Sequence, residues 1–176
     1  HGDAKMAELS AQGKALTLEL RRYEKDSFLN IADPPVHADY VSKWKRQREL
    51  LQANFEKMAK FAQTTEDQEM LRTMQENVAT YENGYNTVLG MIHAGKITTP
   101  AAANIAIIQY KDPIHRLEAD AGNLANKHSE VMAGKEQVIS QFSRRTLEIM
   151  RFVVLFVVTT AIAVSLAIGR GIVRPV

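Results

Sequence analysis

An all-α fold is predicted, an antiparallel up-down four-helix bundle whose fourth helix continues into a transmembrane helix. Three observations predict it. Apolar residues recur at alternating spacings of three and four over most of the chain, the period of one helix face. The 9 glycines and 5 prolines are few and clustered, as in a chain that is mostly helix. Residues 152–169, FVVLFVVTTAIAVSLAIG, carry no charge between Arg151 and Arg170. At a rise of about 1.5 Å per residue, such a stretch just spans a hydrocarbon core of roughly 30 Å. A buried helix in a soluble core usually keeps a polar stripe, and here only Thr159, Thr160 and Ser165 are polar.

The first helix is expected over 1–32, with Leu9, Leu16, Leu20 and Tyr23 on one face and Phe28 and Ile31 extending the apolar surface. Asp33-Pro34-Pro35 stops it, because prolines lack an N–H and push preceding residues out of the helical region. The second helix is expected from about 37 to 63. Its seam is Val41, Trp44, Arg48, Leu51, Phe55, Met58 and Ala62. Thr65 then serves as an N-cap with Gln68 reaching back in a capping box. The third helix, 66–94, carries the most regular seam: Leu71, Met74, Val78, Tyr81, Tyr85, Val88 and Ile92.

Gly95 ends that helix, and Thr99-Pro100 supplies an N-cap with proline at the first helical position. The fourth seam reads Ile107, Tyr110, Ile114, Leu117, Ala121, Leu124 and Val131, and runs on through Val138 and Phe142 into the span. Pro113 either kinks this helix or marks a second start; the seam keeps its phase across it, which favours the kink. The domain organisation expected is therefore a four-helix-bundle sensor domain over 1–150, a transmembrane helix over 151–169, and the start of a linker over 170–176. The chain opens on His1 rather than methionine, as expected of a fragment or a tagged chain.

Composition excludes several functions. With 0 cysteines there is no disulfide, thiolate metal site, cysteine nucleophile or C-x-x-C-H haem attachment. A net charge of +2, from 22 basic and 20 acidic residues, argues against a dedicated nucleic-acid surface. No phosphate-binding glycine loop, nucleophile elbow or paired carboxylates appear, so neither an enzyme nor a cofactor is expected. His115 and Glu118 have a metal-compatible spacing but no facing second pair, so no metal is expected either. His128 falls on the fourth seam, where a lone histidine is usually just hydrogen-bonded.

Polar residues at seam positions are the candidates for binding. Arg48, between Trp44 and Leu51, either snorkels to the bundle edge or faces a ligand. Counted along the helix rise, it lies about eleven residues from the turn at 33–36, as do Arg21 and Arg22. Tyr85, Gln109 and Tyr110 fall at a similar depth, and Tyr81 lies one turn further in. Converging guanidinium and phenol groups suit a carboxylate ligand, since arginine offers forked donors and stays charged. Arg144, Arg145 and Arg151 precede the span and Arg170 and Arg174 follow it, so basic residues alone leave its orientation undecided.

Two stretches carry a resemblance. Residues 21–29, Arg21-Arg22-Tyr23-Glu24-Lys25-Asp26-Ser27-Phe28-Leu29, resemble the R-x-E-K-D-F-L-like signature in the first helix of bacterial helical sensor domains. These belong to methyl-accepting chemotaxis receptors, especially the helical bimodular class. The tail from Gly169 to Val176 looks like the exit of a second membrane helix into a HAMP linker. The resemblance implies a periplasmic bundle anchored in the inner membrane, a homodimer, and a small organic acid such as a C4-dicarboxylate or citrate as ligand. It assigns ligand contact to Arg21 and Arg22. The bimodular class stacks two bundles, and this chain has length for one. Rival outputs are a histidine kinase or a cyclase, and a rival partner is a periplasmic binding protein docked at the turns remote from the membrane.

Overall fold

The computed structural model describes residues 2–172. Its elements are α1 (Gly2–Leu29), α2 (Pro34–Ala59), α3 (Thr65–His93), α4 (Pro100–Ile107), one 3₁₀ turn (Ile108–Tyr110) and α5 (Lys111–Ile172). The fold is all-α, with no strand among the described residues.

Helix ends follow local chemistry and correct several boundaries. Asp33 is the N-cap of α2, its carboxylate accepting the Val36 N–H at 3.2 Å. The two prolines occupy the first helical positions, where a missing N–H costs nothing. They therefore open α2 at residue 34 rather than only closing α1. The cap of α3 is Thr64, one residue before the expected Thr65, with its hydroxyl accepting the Asp67 N–H at 3.1 Å. Gln68 does not reach back to the cap; its amide donates to the Ala62 carbonyl at 3.0 Å. Two adjacent threonines could each cap, and Thr64 places Asp67 where its carboxylate is buried against cations of α5. At the other end, Gly95 has φ +70°. Its N–H bonds Ile92 O and that of Lys96 bonds Met91 O, both at 2.9 Å, so the left-handed residue lets two orphan carbonyls be satisfied.

Around Pro113 the helical path continues without a break, but a 3₁₀ turn separates α4 from α5. Pro113 cannot donate to the Gln109 carbonyl and its ring crowds that oxygen, so residues 108–110 tighten into a 3₁₀ turn. Pro113 then falls in the first turn of α5, where proline is tolerated. The backbone at Ile107, Ile108 and Lys111 stays right-handed helical, so α4 joins α5 without a loop.

Residue pairs define how the helices meet. Gln12 bonds Asn54 and Ser27 bonds His37, so α1 and α2 run antiparallel. Glu24 meets Tyr81 and Ser27 meets Tyr85, so α1 and α3 run in the same direction. Asp3 reaches His128 while Glu24 reaches Lys111, so α5 returns antiparallel to α1. The core between them is filled by Trp44, Tyr81, Tyr85, Phe28 and Phe55 with Met6, Leu51, Met74, Ile114 and Leu117. Most of the predicted α2 and α3 seams are these buried faces, with Val41, Arg48 and Ile92 only half-buried. The α1 face matches in part: Leu9, Leu20 and Phe28 are buried as predicted, but the seam runs through Met6, Ser10, Gly13, Thr17, Glu24 and Ser27, with Leu16, Tyr23 and Ile31 only half-buried.

Gly84 marks a close approach. A Cβ there would stand 2.2 Å from Cγ and 2.4 Å from Cβ of Tyr110. Those atoms are the root of the side chain and cannot swing aside. Gly84→Ala is therefore expected to lower stability by about 1–3 kcal/mol, as overpacking does. Gly90, whose Cβ would meet nothing within 4 Å, is the control. Thermal unfolding should separate the two alanine variants; equal melting temperatures would contradict the close approach.

The described residues divide into two compact units, one ending at Met132 and one beginning at Ala133. In the second unit Val138, Phe142, Leu147 and Met150 are exposed, as are Phe152, Leu155, Phe156, Ile162 and Leu166. This is the one helix among the described residues long and apolar enough to cross a membrane, with a window of mean hydropathy 2.3. The linker opening expected at 170–176 lies, from residue 173 onward, outside the described residues.

Candidate functional site

Glu24 is the centre of a buried polar layer. It sits on the true α1 seam and is 1 % exposed. One carboxylate oxygen accepts the Tyr81 hydroxyl, and the other lies 3.4 Å from the Lys111 ammonium. One turn on, Ser27 Oγ accepts the Tyr85 hydroxyl at 2.9 Å and donates to the Glu24 carbonyl at 2.7 Å. The Ser27 carbonyl in turn accepts from His37 Nδ1 at 2.7 Å. Trp44 stacks on Tyr85 with centroids 4.2 Å apart and also meets Tyr81 at 6.3 Å. Four helices thus contribute to one polar layer inside an aromatic core.

Burial sets the electrostatics. It pushes the Tyr81 phenol well above its ordinary range, and the adjacent Glu24 charge adds to the effect. Burial likewise raises Tyr85, against the opposing hydrogen bond to Ser27. Both rings are therefore neutral donors at neutral pH. A neutral donor is what a buried carboxylate needs when only one cation is near.

Among the residues predicted to bind, Tyr81 and Tyr85 belong to this layer. Arg21 stands beside it, electrostatically coupled to Tyr81, but its guanidinium is held by Glu118 of α5 at 2.5 Å. Arg48 Nε pairs with Glu82 of α3 at 2.9 Å, and its Nη1 donates to Gln52 at 3.3 Å. Arg22 lies on the outer face of α1, paired with Glu19 at 3.1 Å and Asp26 at 3.9 Å and 4.9 Å from the centre of the Tyr23 ring. Gln109 is exposed and donates to the Ala106 carbonyl at 3.4 Å. Tyr110 packs its ring on Gly84. The three guanidinium groups are each held by a different carboxylate of the chain, Arg21 by Glu118, Arg48 by Glu82 and Arg22 by Glu19, rather than gathered around one site. Depth along an axis is set by the helix rise, whereas convergence needs the same azimuth.

Sequence reasoning missed Glu24, Ser27, His37 and Lys111. A signal was present: Thr17, Leu20, Glu24 and Ser27 keep the three-four spacing, but a face drawn through the apolar Leu16 and Tyr23 leaves Glu24 and Ser27 off the seam.

A second polar cluster lies at the far end of α1 and α3. His128, 6 % exposed, has Nδ1 2.9 Å from Asp3 and Nε2 3.3 Å from Asp67. Lys127 bridges Asp67 at 2.9 Å and Glu66 at 2.7 Å. Burial pushes the Asp67 carboxyl up, but hydrogen bonds from Thr64 and Lys127 and the nearby His128 outweigh it and hold it below the usual range. The hydrogen bonds to Glu66 and Asp67 raise Lys127. Among the described residues, no group of three or more His, Asp or Glu is placed to hold a metal ion. No known protein family, curated protein sequence or solved structure matches this chain.

Proposed function

We propose that the chain is a membrane-anchored sensor of the chemotaxis-receptor type. Its first unit is an up-down four-helix bundle on the periplasmic side of the inner membrane, and its second carries the span. The observation that carries this reading is that a single helix, Lys111–Ile172, contributes Lys111 and Glu118 to part-buried ion pairs with α1 and also the exposed apolar stretch. The antiparallel pairings of α1 with α2 and with α5 support the bundle topology. A receptor of this kind acts as a homodimer and takes a small organic acid, a C4-dicarboxylate or citrate, as ligand. Arg21 and Arg48 hold carboxylates already, so an incoming diacid exchanges with Glu118 or Glu82 on a guanidinium that is geometrically suited to it. Binding shifts the equilibrium between two helix arrangements only by its difference in affinity for them.

Calorimetric titration of the chain in detergent with dicarboxylates and citrate tests the reading. Saturable binding lost in both Arg21→Ala and Arg48→Ala is the expected result. Loss in Arg22→Ala alone would move the site to the outer face of α1 and a subunit interface. No heat at millimolar ligand, with the chain folded and dimeric, would sink the organic-acid assignment.

A further inference from the structure

His128 of α5 stands between carboxylates that come from two other helices. Its Nδ1 is 2.9 Å from Asp3 of α1 and its Nε2 is 3.3 Å from Asp67 of α3. The other charges facing it are Lys127, its neighbour on α5, and Glu66 of α3, which Lys127 also holds. Among these groups three carboxylates meet one permanent cation. Glu66 is largely solvated, but the Asp67 side chain is 1 % exposed, so its charge is little screened. A neutral imidazole donates from one nitrogen and keeps a lone pair on the other, whereas the imidazolium is charged and donates from both. The Nδ1–H bond to Asp3 is available to either form. Nε2 makes no hydrogen bond, so its tie to Asp67 is Coulombic and lasts only while the ring is charged.

We propose that His128 is a proton-operated tie between α5 and α3. With the ring charged, α5 is held to both α1 and α3; loss of the Nε2 proton leaves the Asp3 bond in place and removes the attraction to Asp67. Nε2 is the nitrogen that gives up its proton because Nδ1 is hydrogen-bonded to Asp3, while Asp67 already has Lys127 at 2.9 Å. Asp67 is therefore not stranded when the ring is neutral, and the change weakens one contact without unfolding the cluster. Its place gives the contact a regulatory use. His128 lies one turn before Met132, where the first compact unit ends, so the tie acts on the last stretch of α5 that belongs to that unit. The cluster is separate from the arginines, so this inference stands or falls independently of the organic-acid reading.

The test is a pH titration of the full chain in detergent, labelled at histidine nitrogens and followed by magnetic resonance between about pH 5.5 and 8.5, which brackets an ordinary histidine. His128 is expected to carry protons on both nitrogens at the acid end and on Nδ1 alone at the basic end. Asp67→Asn removes the charge beside Nε2, and there the proton should be held at least about threefold more weakly. Thermal unfolding reads the tie itself. A proton bound more tightly by the folded chain stabilises it at low pH, and that stability is lost as the pH rises. The melting temperature should therefore fall across this range by more in the wild type than in His128→Gln. Glutamine keeps a donor for Asp3, and Asp67→Asn gives an independent reading if His128→Gln does not fold. A neutral ring protonated on Nε2 instead, a titration unchanged in Asp67→Asn, or an equal fall in His128→Gln and the wild type would overturn the assignment.

Discussion

Tyr85→Ala is expected to cost about 3–5 kcal/mol of unfolding free energy. The ring is fully buried, stacked on Trp44 at 4.2 Å and packed against Phe28 at 5.8 Å. Truncation removes that area and leaves a cavity that three packed helices cannot collapse to fill. It also strands Ser27 Oγ, which accepts the phenol hydrogen bond. Tyr85→Phe separates the terms, keeping the ring and losing only the hydroxyl, and should cost about 1 kcal/mol. Urea unfolding followed by circular dichroism measures both. If the two variants were equally unstable, the hydrogen bond rather than the packing would dominate the layer.

The second large effect is expected at Glu24. Replacing it by alanine leaves the Tyr81 hydroxyl without its acceptor and Lys111 without its counter-ion, in a layer from which water is excluded. Breaking a buried pair by removing one partner costs about 3–5 kcal/mol. Lys111 keeps about a quarter of its side chain exposed, so its ammonium can retreat to solvent, and the lower end of that range is expected. Glu24→Gln keeps an acceptor for Tyr81 and should recover about half of the loss. A cycle combining Glu24→Gln with Tyr81→Phe reads the coupling directly. A sum of the single effects equal to the double effect would show that the two groups do not interact.

The buried faces of α2 and α3 were legible because one type of residue, large and apolar, repeats there at helical spacing from Trp44 to Met58 and from Leu71 to Val88. The seam of α1 was not, because polar Ser10, Thr17, Glu24 and Ser27 lie on it; Glu24 and Ser27 are held there by Tyr81 and Tyr85 of α3, and a polar side chain does not announce a partner distant in sequence. The arginines illustrate the same limit from the other side. Their depth follows from a rise of about 1.5 Å per residue. Whether they converge depends on helix rotation, and rotation put Glu118 and Glu82 in reach of Arg21 and Arg48.

The residues by themselves determined the helical class, the turns at Asp33-Pro34 and Gly95, the N-cap at Thr99 and the apolar stretch beyond Arg151. Each depends on chemistry within a few positions: a missing N–H, a tolerated positive φ, a side-chain acceptor, an unbroken apolar run. Tertiary structure alone decided that Glu24 is interior, that Gly84 must be bare for Tyr110, and that His37 of α2 is buried against the Ser27 carbonyl of α1. Those features arise from distances between helices, which are set by the packing of whole faces rather than by any local preference.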